Sequence, residues 1–231
     1  MSARLPLPRV WIVVVLLCTL LAAPLVMQRE TASASGPRIA VIGDSISARY
    51  NDRQGSAQQA WWSVVGRRYQ APVTVFAESG SGYVRPGGLC NGTRFRDRVA
   101  DAVKSSPTVV IVEGGRNDWA YCAGRQVTQA SDARVKSAVD RFLTKLQRAL
   151  DPKTTIYVLG PPWGTVSATQ KNRVTSIIKS STQRHHMRFI DTTGVFNGDR
   201  TIDGTHPNRA GSMALGNRVV ARIGLRLPTM R

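Results

Sequence analysis

Acidic residues are scarce in this chain. Only 14 Asp and Glu stand against 32 Lys and Arg in 231 residues, for a net charge of +18. So one-sided a balance favours an anionic partner, whether nucleic acid, membrane or acidic cell-wall polymer. The basic residues are scattered, however, with no dense tract and no nucleic-acid motif, so no nucleic-acid partner is expected. Cysteine and histidine are also rare, at three each. No His/Cys/Asp cluster has metal-ligand spacing, and no metal or other cofactor is expected. The Gly-x-Ser-x-Gly elbow of α/β-hydrolases is absent, which argues against that fold. No internal repeat and no second globular domain is evident, and 42% hydrophobic residues argue against disorder.

One long uncharged run is present, from Val10 to Met27, behind Arg4 and Arg9 and ahead of Arg29 and Glu30. As a helix it would reach roughly 27 Å, just enough to span a bilayer. A basic flank before an apolar run is a secretory signal or a signal anchor. Ala32-Ser33-Ala34 offers a cleavage site and Pro24 a helix end, so cleavage and anchoring both stay open. In either case the basic flank stays inside and the rest of the chain is exported, giving an extracytoplasmic protein. Cys18 lies in the run, and Leu17 stands where a lipoprotein signal needs a small residue. The expected organisation is therefore a signal or anchor with linker over 1–34 and one domain over 35–231. With three arginines and one glutamate before residue 35, that domain keeps about +16 of the charge. Its two cysteines, Cys90 and Cys122, form an even pair in a compartment where disulfides persist, and a bridge between them is expected.

Within the domain, short apolar runs alternate with helical stretches. Ile39–Ile42, Pro72–Phe76, Thr108–Val112, Thr155–Leu159 and Met187–Ile190 read as strands, mostly without polar alternation, as in a sheet covered on both faces. Ala57–Tyr69, Phe95–Lys104 and Ala168–Ser181 read as helices. The clearest helix carries one apolar stripe of Val135, Ala138, Val139, Phe142, Leu143, Leu146 and Leu150, and ends at Asp151-Pro152. A last helix after Pro207 turns Met213, Leu215, Val219, Val220 and Ile223 inward. This alternation predicts a three-layer α/β/α sandwich on a mainly parallel sheet of about five strands.

The polar residues then collect at strand ends, where open α/β sheets bind their ligands. The first strand delivers Gly43-Asp44-Ser45 and the second Glu78-Ser79-Gly80-Ser81-Gly82. The third delivers Gly114-Gly115-Arg116-Asn117-Asp118, and Asp203-x-x-His206 lies near the end of the chain. These four blocks resemble the SGNH, or GDSL-type, hydrolase family over Arg38–Leu225. The resemblance implies a flavodoxin-like fold and a serine esterase. Its catalytic set would be Ser45, Asp203, His206, Gly82 and Asn117. Chemistry supports these roles independently. A serine hydroxyl attacks only when an imidazole takes its proton, and the imidazole needs a carboxylate on its other nitrogen. The resulting oxyanion needs donors already in place. The N–H groups of Ser45 and Gly82 and the Asn117 amide would supply them, with Gly80 competing with Gly82.

Other features bear on substrate. Asp44 reads as a brace for the turn, and His185 and His186 as exposed. Arg49, Arg53, Arg85, Arg94 and Arg116 read either as a solvated basic surface or as anion recognition. Tyr83, Trp119 and Trp163 read either as core or as a cleft lining. A Cys90–Cys122 bridge would pin the two loops holding Gly82 and Asn117. The expected substrate is a carboxylic ester with a short acyl group, carried by an envelope glycan or lipid. Two alternatives accompany this: an O-acyltransferase using the same residues, and a basic protein that binds envelope polymer without turnover.

Overall fold

Two opposite faces of one sheet account for the core. The computed structural model describes residues 36–48, 57–164 and 168–225; the N-terminal segment expected to be a signal or anchor, with Cys18 and the Val10–Met27 run, lies outside them, as do Arg49 and Arg53. Among the described residues no helix is long and apolar enough to cross a membrane.

The sheet comprises β1 (Ile39–Gly43), β2 (Val73–Ala77), β3 (Val109–Glu113), β6 (Thr155–Leu159) and β7 (Arg188–Ile190). Its order is β2-β1-β3-β6-β7, with every pair parallel, the flavodoxin-like order. Every residue of β1 and β3 is buried, which explains their unbroken apolar sequences. Along β1, Ile39 and Val41 pack under α2 (Trp61–Tyr69) and α6 (Arg209–Val220). Ala40 and Ile42 face the other layer, α3 (Val99–Lys104), α4 (Asp132–Ala149) and α5 (Ala168–Arg184). This period-two division of one strand is the geometry of the pleat.

Helix α4 follows its sequence pattern. All seven stripe residues from Val135 to Leu150 are buried, and the Ser131 hydroxyl caps the start by accepting from the Arg134 N–H at 3.3 Å. Three details depart from expectation. The stretch before the third strand is a 3-10 turn, Phe95–Arg98, running into the short α3. The segment around Cys122 is not a loop but an antiparallel hairpin, β4 (Ala120–Ala123) with β5 (Gln126–Gln129). An apolar signature was missing because β5 is exposed throughout. In α6, Leu215 and Val219 are buried as expected, whereas Met213 is 47% exposed, two positions from Leu215 and so on another face.

Tyr83, Phe95 and Phe142 form an edge-to-face aromatic triad with centroids 4.9 to 6.0 Å apart, and all three are almost wholly buried. Tyr83 is thus a core residue. Because the triad joins α4 to the loop after β2, Phe142→Ala is expected to cost about 3–5 kcal/mol, read as a lowered urea midpoint.

Candidate active site

Parallel register brings the ends of β1, β2 and β3 level. Gly43 pairs with Ala77 on one side and Glu113 on the other, so the residues that follow all emerge at one edge. Ser45 opens the one-turn helix α1 (Ser45–Ala48). Its Oγ lies 2.9 Å from His206 Nε2, and His206 Nδ1 lies 2.6 Å from Asp203 Oδ2. The other Asp203 oxygen accepts from the N–H groups of His206, at 2.7 Å, and Thr205, at 2.9 Å. Burial pushes the Asp203 carboxyl up, but the bonds from the His206 ring and these two N–H groups outweigh it and hold it below the usual range. Residues 203–206 lie in a turn ahead of α6, closed by an Ile202 N–H bond to the His206 carbonyl at 2.9 Å. Helix α6 itself starts later, capped by Asn208.

Asn117 also reaches this edge. Its Nδ2 donates to the Ser81 carbonyl at 2.9 Å and approaches Asp44 Oδ2 at 3.5 Å. The Ser45 N–H and the Gly80 N–H have no acceptor among the described residues. Gly82 differs from expectation, since its N–H donates to the Arg85 carbonyl at 2.8 Å. A glycine is required at 82 for a different reason: a Cβ there would lie 2.5 Å from both carboxylate oxygens of Asp118.

Asp118 is buried, and its carboxylate accepts from three successive N–H groups, those of Tyr83, Val84 and Arg85, at 2.7 to 3.4 Å. That cradle fixes the loop after β2 against the loop after β3. The Cys90–Cys122 disulfide ties the same two loops further out. Burial lifts the Asp118 carboxyl to about 6 in spite of the three N–H bonds. Asp44 is likewise a brace, accepting from the Ile46 N–H at 2.9 Å. Burial lifts it to about 6, against the pull of that bond and of Arg116, His206 and Arg98.

Several site residues were not anticipated. Glu113 ends β3 fully buried, accepting from the Ser47 hydroxyl at 2.7 Å; burial and neighbouring Asp44 keep it protonated well above the usual carboxyl range. An acid closing the run Val109–Glu113 was the available signal. Arg98 donates to the carbonyls of Gly43 and Phe76 and to the Ser81 hydroxyl. Arg116 proves to be neither solvated nor open to an anion. It donates to the Pro162 carbonyl at 3.2 Å and to Thr205 Oγ1 at 3.0 Å, and lies over the Trp163 ring at 5.1 Å. Trp163 therefore serves as its platform, while Trp119 is 40% exposed. Arg94 is held by the Val84 carbonyl. His185 is half-buried, 3.6 Å from Asp140, and His186 is exposed; neither belongs to the site.

The chain is similar to known proteins in sequence and in fold. The model of the GDSL-like lipase/acylhydrolase family matches residues 41–214. A GDSL lipase of Mycobacterium tuberculosis is 28% identical over 200 residues, covering 82% of each chain. Among solved structures, the aryl esterase of M. smegmatis superposes with a TM-score of 0.66 at 14% identity, covering 80% of this chain and 97% of that one. A lipase/acylhydrolase of Enterococcus faecalis gives 0.62 at 18%, over 80% and 94%. A carbohydrate acetylesterase of Sinorhizobium meliloti gives 0.65 at 12%, over 80% and 97%.

Two predictions follow from the buried groups. Asp44 and Asp118 titrate near 6 when folded and near 3.9 when unfolded, so between those values the folded chain holds more protons. Their contribution is complete below about 4 and lost as pH rises through about 6. The urea midpoint should fall across that window, and Asp118→Asn should flatten the fall. Arg116→Lys keeps a charge but cannot serve both acceptors and the ring together. It should lower kcat on a soluble ester about tenfold, ~1.4 kcal/mol, with KM little changed, and Thr205→Val should act in the same direction.

Proposed function

Because the chain belongs to the GDSL-like lipase/acylhydrolase family, and so to the carboxylic ester hydrolases, we propose that it is an extracytoplasmic serine esterase acting on short acyl esters through Ser45. The observation that carries this is the unbroken hydrogen-bonded line from Ser45 Oγ through His206 to Asp203. His206 Nε2 takes the hydroxyl proton as Oγ bonds to the ester carbonyl carbon, giving a tetrahedral oxyanion. Asp203 holds Nδ1–H and stabilises the imidazolium. Collapse breaks the bond to the alkoxy oxygen, which takes the proton from His206 and departs as alcohol. Water then repeats the sequence on the acyl-enzyme, and the acid leaves.

The Ser45 N–H and the Asn117 amide are the oxyanion donors at hand. The Gly82 N–H would join them only by leaving the Arg85 carbonyl, an exchange the Gly80 N–H does not require. Short acyl groups on a glycan have a precedent of the same fold in the S. meliloti carbohydrate acetylesterase. Export rests on the basic flank and apolar run at residues 4–27.

The test is turnover of a p-nitrophenyl ester chain-length series by the full chain. Activity should peak at short chains and fall at least about a thousandfold in Ser45→Ala. A fluorophosphonate should label the wild type at Ser45. Labelling without turnover of any ester would favour the acyltransferase alternative, with a sugar hydroxyl replacing water. Undiminished turnover in Ser45→Ala would remove the nucleophile assignment.

A further inference from the structure

The positive charge has a second focus, away from Ser45. The outer face of α4 and the 3-10 turn Phe95–Arg98 enclose a groove of about 1060 Å³. A smaller cleft of about 260 Å³ continues it, sharing Arg96 and Arg141, and ends on Tyr121 and Cys122 of the hairpin. Arg134, Arg141, Lys145 and Arg148 lie along this trough, from the first turn of α4 to the last, about 21 Å apart at the ends.

Two acids, Asp97 and Asp140, also line the trough, and both are engaged. Asp140 accepts from Lys136 at 2.9 Å and Arg184 at 3.0 Å; Asp97 accepts from the Arg94 N–H at 2.9 Å. Of Arg134, Arg141, Lys145 and Arg148, the first three pair with neutral groups instead. Arg134 stacks on the Tyr121 ring at 4.0 Å, Lys145 donates to the Arg96 carbonyl at 2.9 Å, and Arg141 donates to the Ser137 hydroxyl. Past Asp140 the helix has no acid. The macrodipole welcomes Arg148 in the last turn but not Arg134 in the first, and like charges three or four apart, such as Arg141, Lys145 and Arg148, oppose helix formation. A row of cations arranged at that cost, oriented by stacking and carbonyls, is complementary to a row of anions.

We propose that this trough binds a linear polymer bearing repeated phosphate or carboxylate groups. A flat lipid surface fits less well, because the trough is concave. The large exposed apolar side chains, Leu89, Trp119, Val127, Ile202 and Met213, all lie outside its lining and offer no wedge there. Single-stranded nucleic acid would need rings for base stacking, and the large groove contains none.

Binding is measured on the full chain carrying Ser45→Ala, so that the result is independent of turnover. The probes are labelled inorganic polyphosphate and polyglutamate, which separate phosphate from carboxylate recognition. Vesicles of phosphatidylglycerol in phosphatidylcholine and a single-stranded oligonucleotide provide the contrasts. The triple variant Arg134→Ala/Arg141→Ala/Arg148→Ala should weaken polymer binding at least about thirtyfold and reduce the log–log salt slope by roughly one per cation. The control triple, Arg68→Ala/Arg218→Ala/Arg222→Ala on the opposite layer, removes the same charge and should change it less than about threefold. Turnover of p-nitrophenyl acetate should be unchanged when the trough triple is made in the wild-type background. Equal losses in the two triples would overturn the proposal in favour of net charge alone. No polymer binding, or tighter binding of vesicles or oligonucleotide, would overturn it as well.

Discussion

The level ending of three parallel strands is the constraint from which the site follows. Gly43 sits between Ala77 and Glu113 in register, so the chain must turn at one plane in all three places. Such an edge exposes carbonyls and gathers loops, and both have to be satisfied by side chains rather than by further sheet. Arg98 covers the carbonyls of Gly43 and Phe76. The Asp118 carboxylate covers three N–H groups of the neighbouring loop. Displacing either strand by one residue would reverse its faces and separate these partners.

Beneath Ser45, these satisfactions form one buried polar layer. Asp44, Glu113 and Asp118 are fully buried, and Arg116, His206 and Arg98 stand near Asp44 with opposite charge. Desolvation therefore prevails over pairing, and all three acids are raised. Such a layer is a poor source of stability, because each buried charge costs more than an exposed pair returns. What it supplies is fixed position. Ser47 is held between Glu113 and Trp61 Nε1, while Arg116 joins the turn carrying Asn117 to the turn carrying Asp203 and His206. A site whose donors must stand ready before reaction gains from that rigidity.

This division explains what could be read in the sequence. Strands β1, β3 and β6 were legible because burial on both faces leaves an apolar run, and α4 because its stripe repeats at helical spacing. Ser45, Asn117, Asp203 and His206 were legible because their chemistry needs those residue types at chain turns. Apart from Asp44, the braces were not. Arg98 lies in a polar stretch that reads as helix surface, and only the fold carries it under Gly43. Gly82 reads in the sequence as an oxyanion donor, whereas its N–H is held by Arg85 and Asp118 occupies the space a Cβ would need; a glycine reports close approach without naming what approaches. Hairpin β4–β5 escaped because β5 is exposed throughout and carries no apolar signature.

Charge is segregated in the same way. Acids gather under Ser45, whereas much of the basic excess lies elsewhere, on the helices of the outer layer. At physiological salt, charges separated by more than about 8 Å act only weakly on one another across solvent. The exposed arginines of α4 are thus poorly placed to tune His206, whose immediate partners are Asp203 and Ser45. Buried Arg116 is screened far less and lies close enough to pull on Asp44. The exposed basic excess is therefore electrostatically separate from His206, whereas the two internal arginines act directly on the buried Asp44.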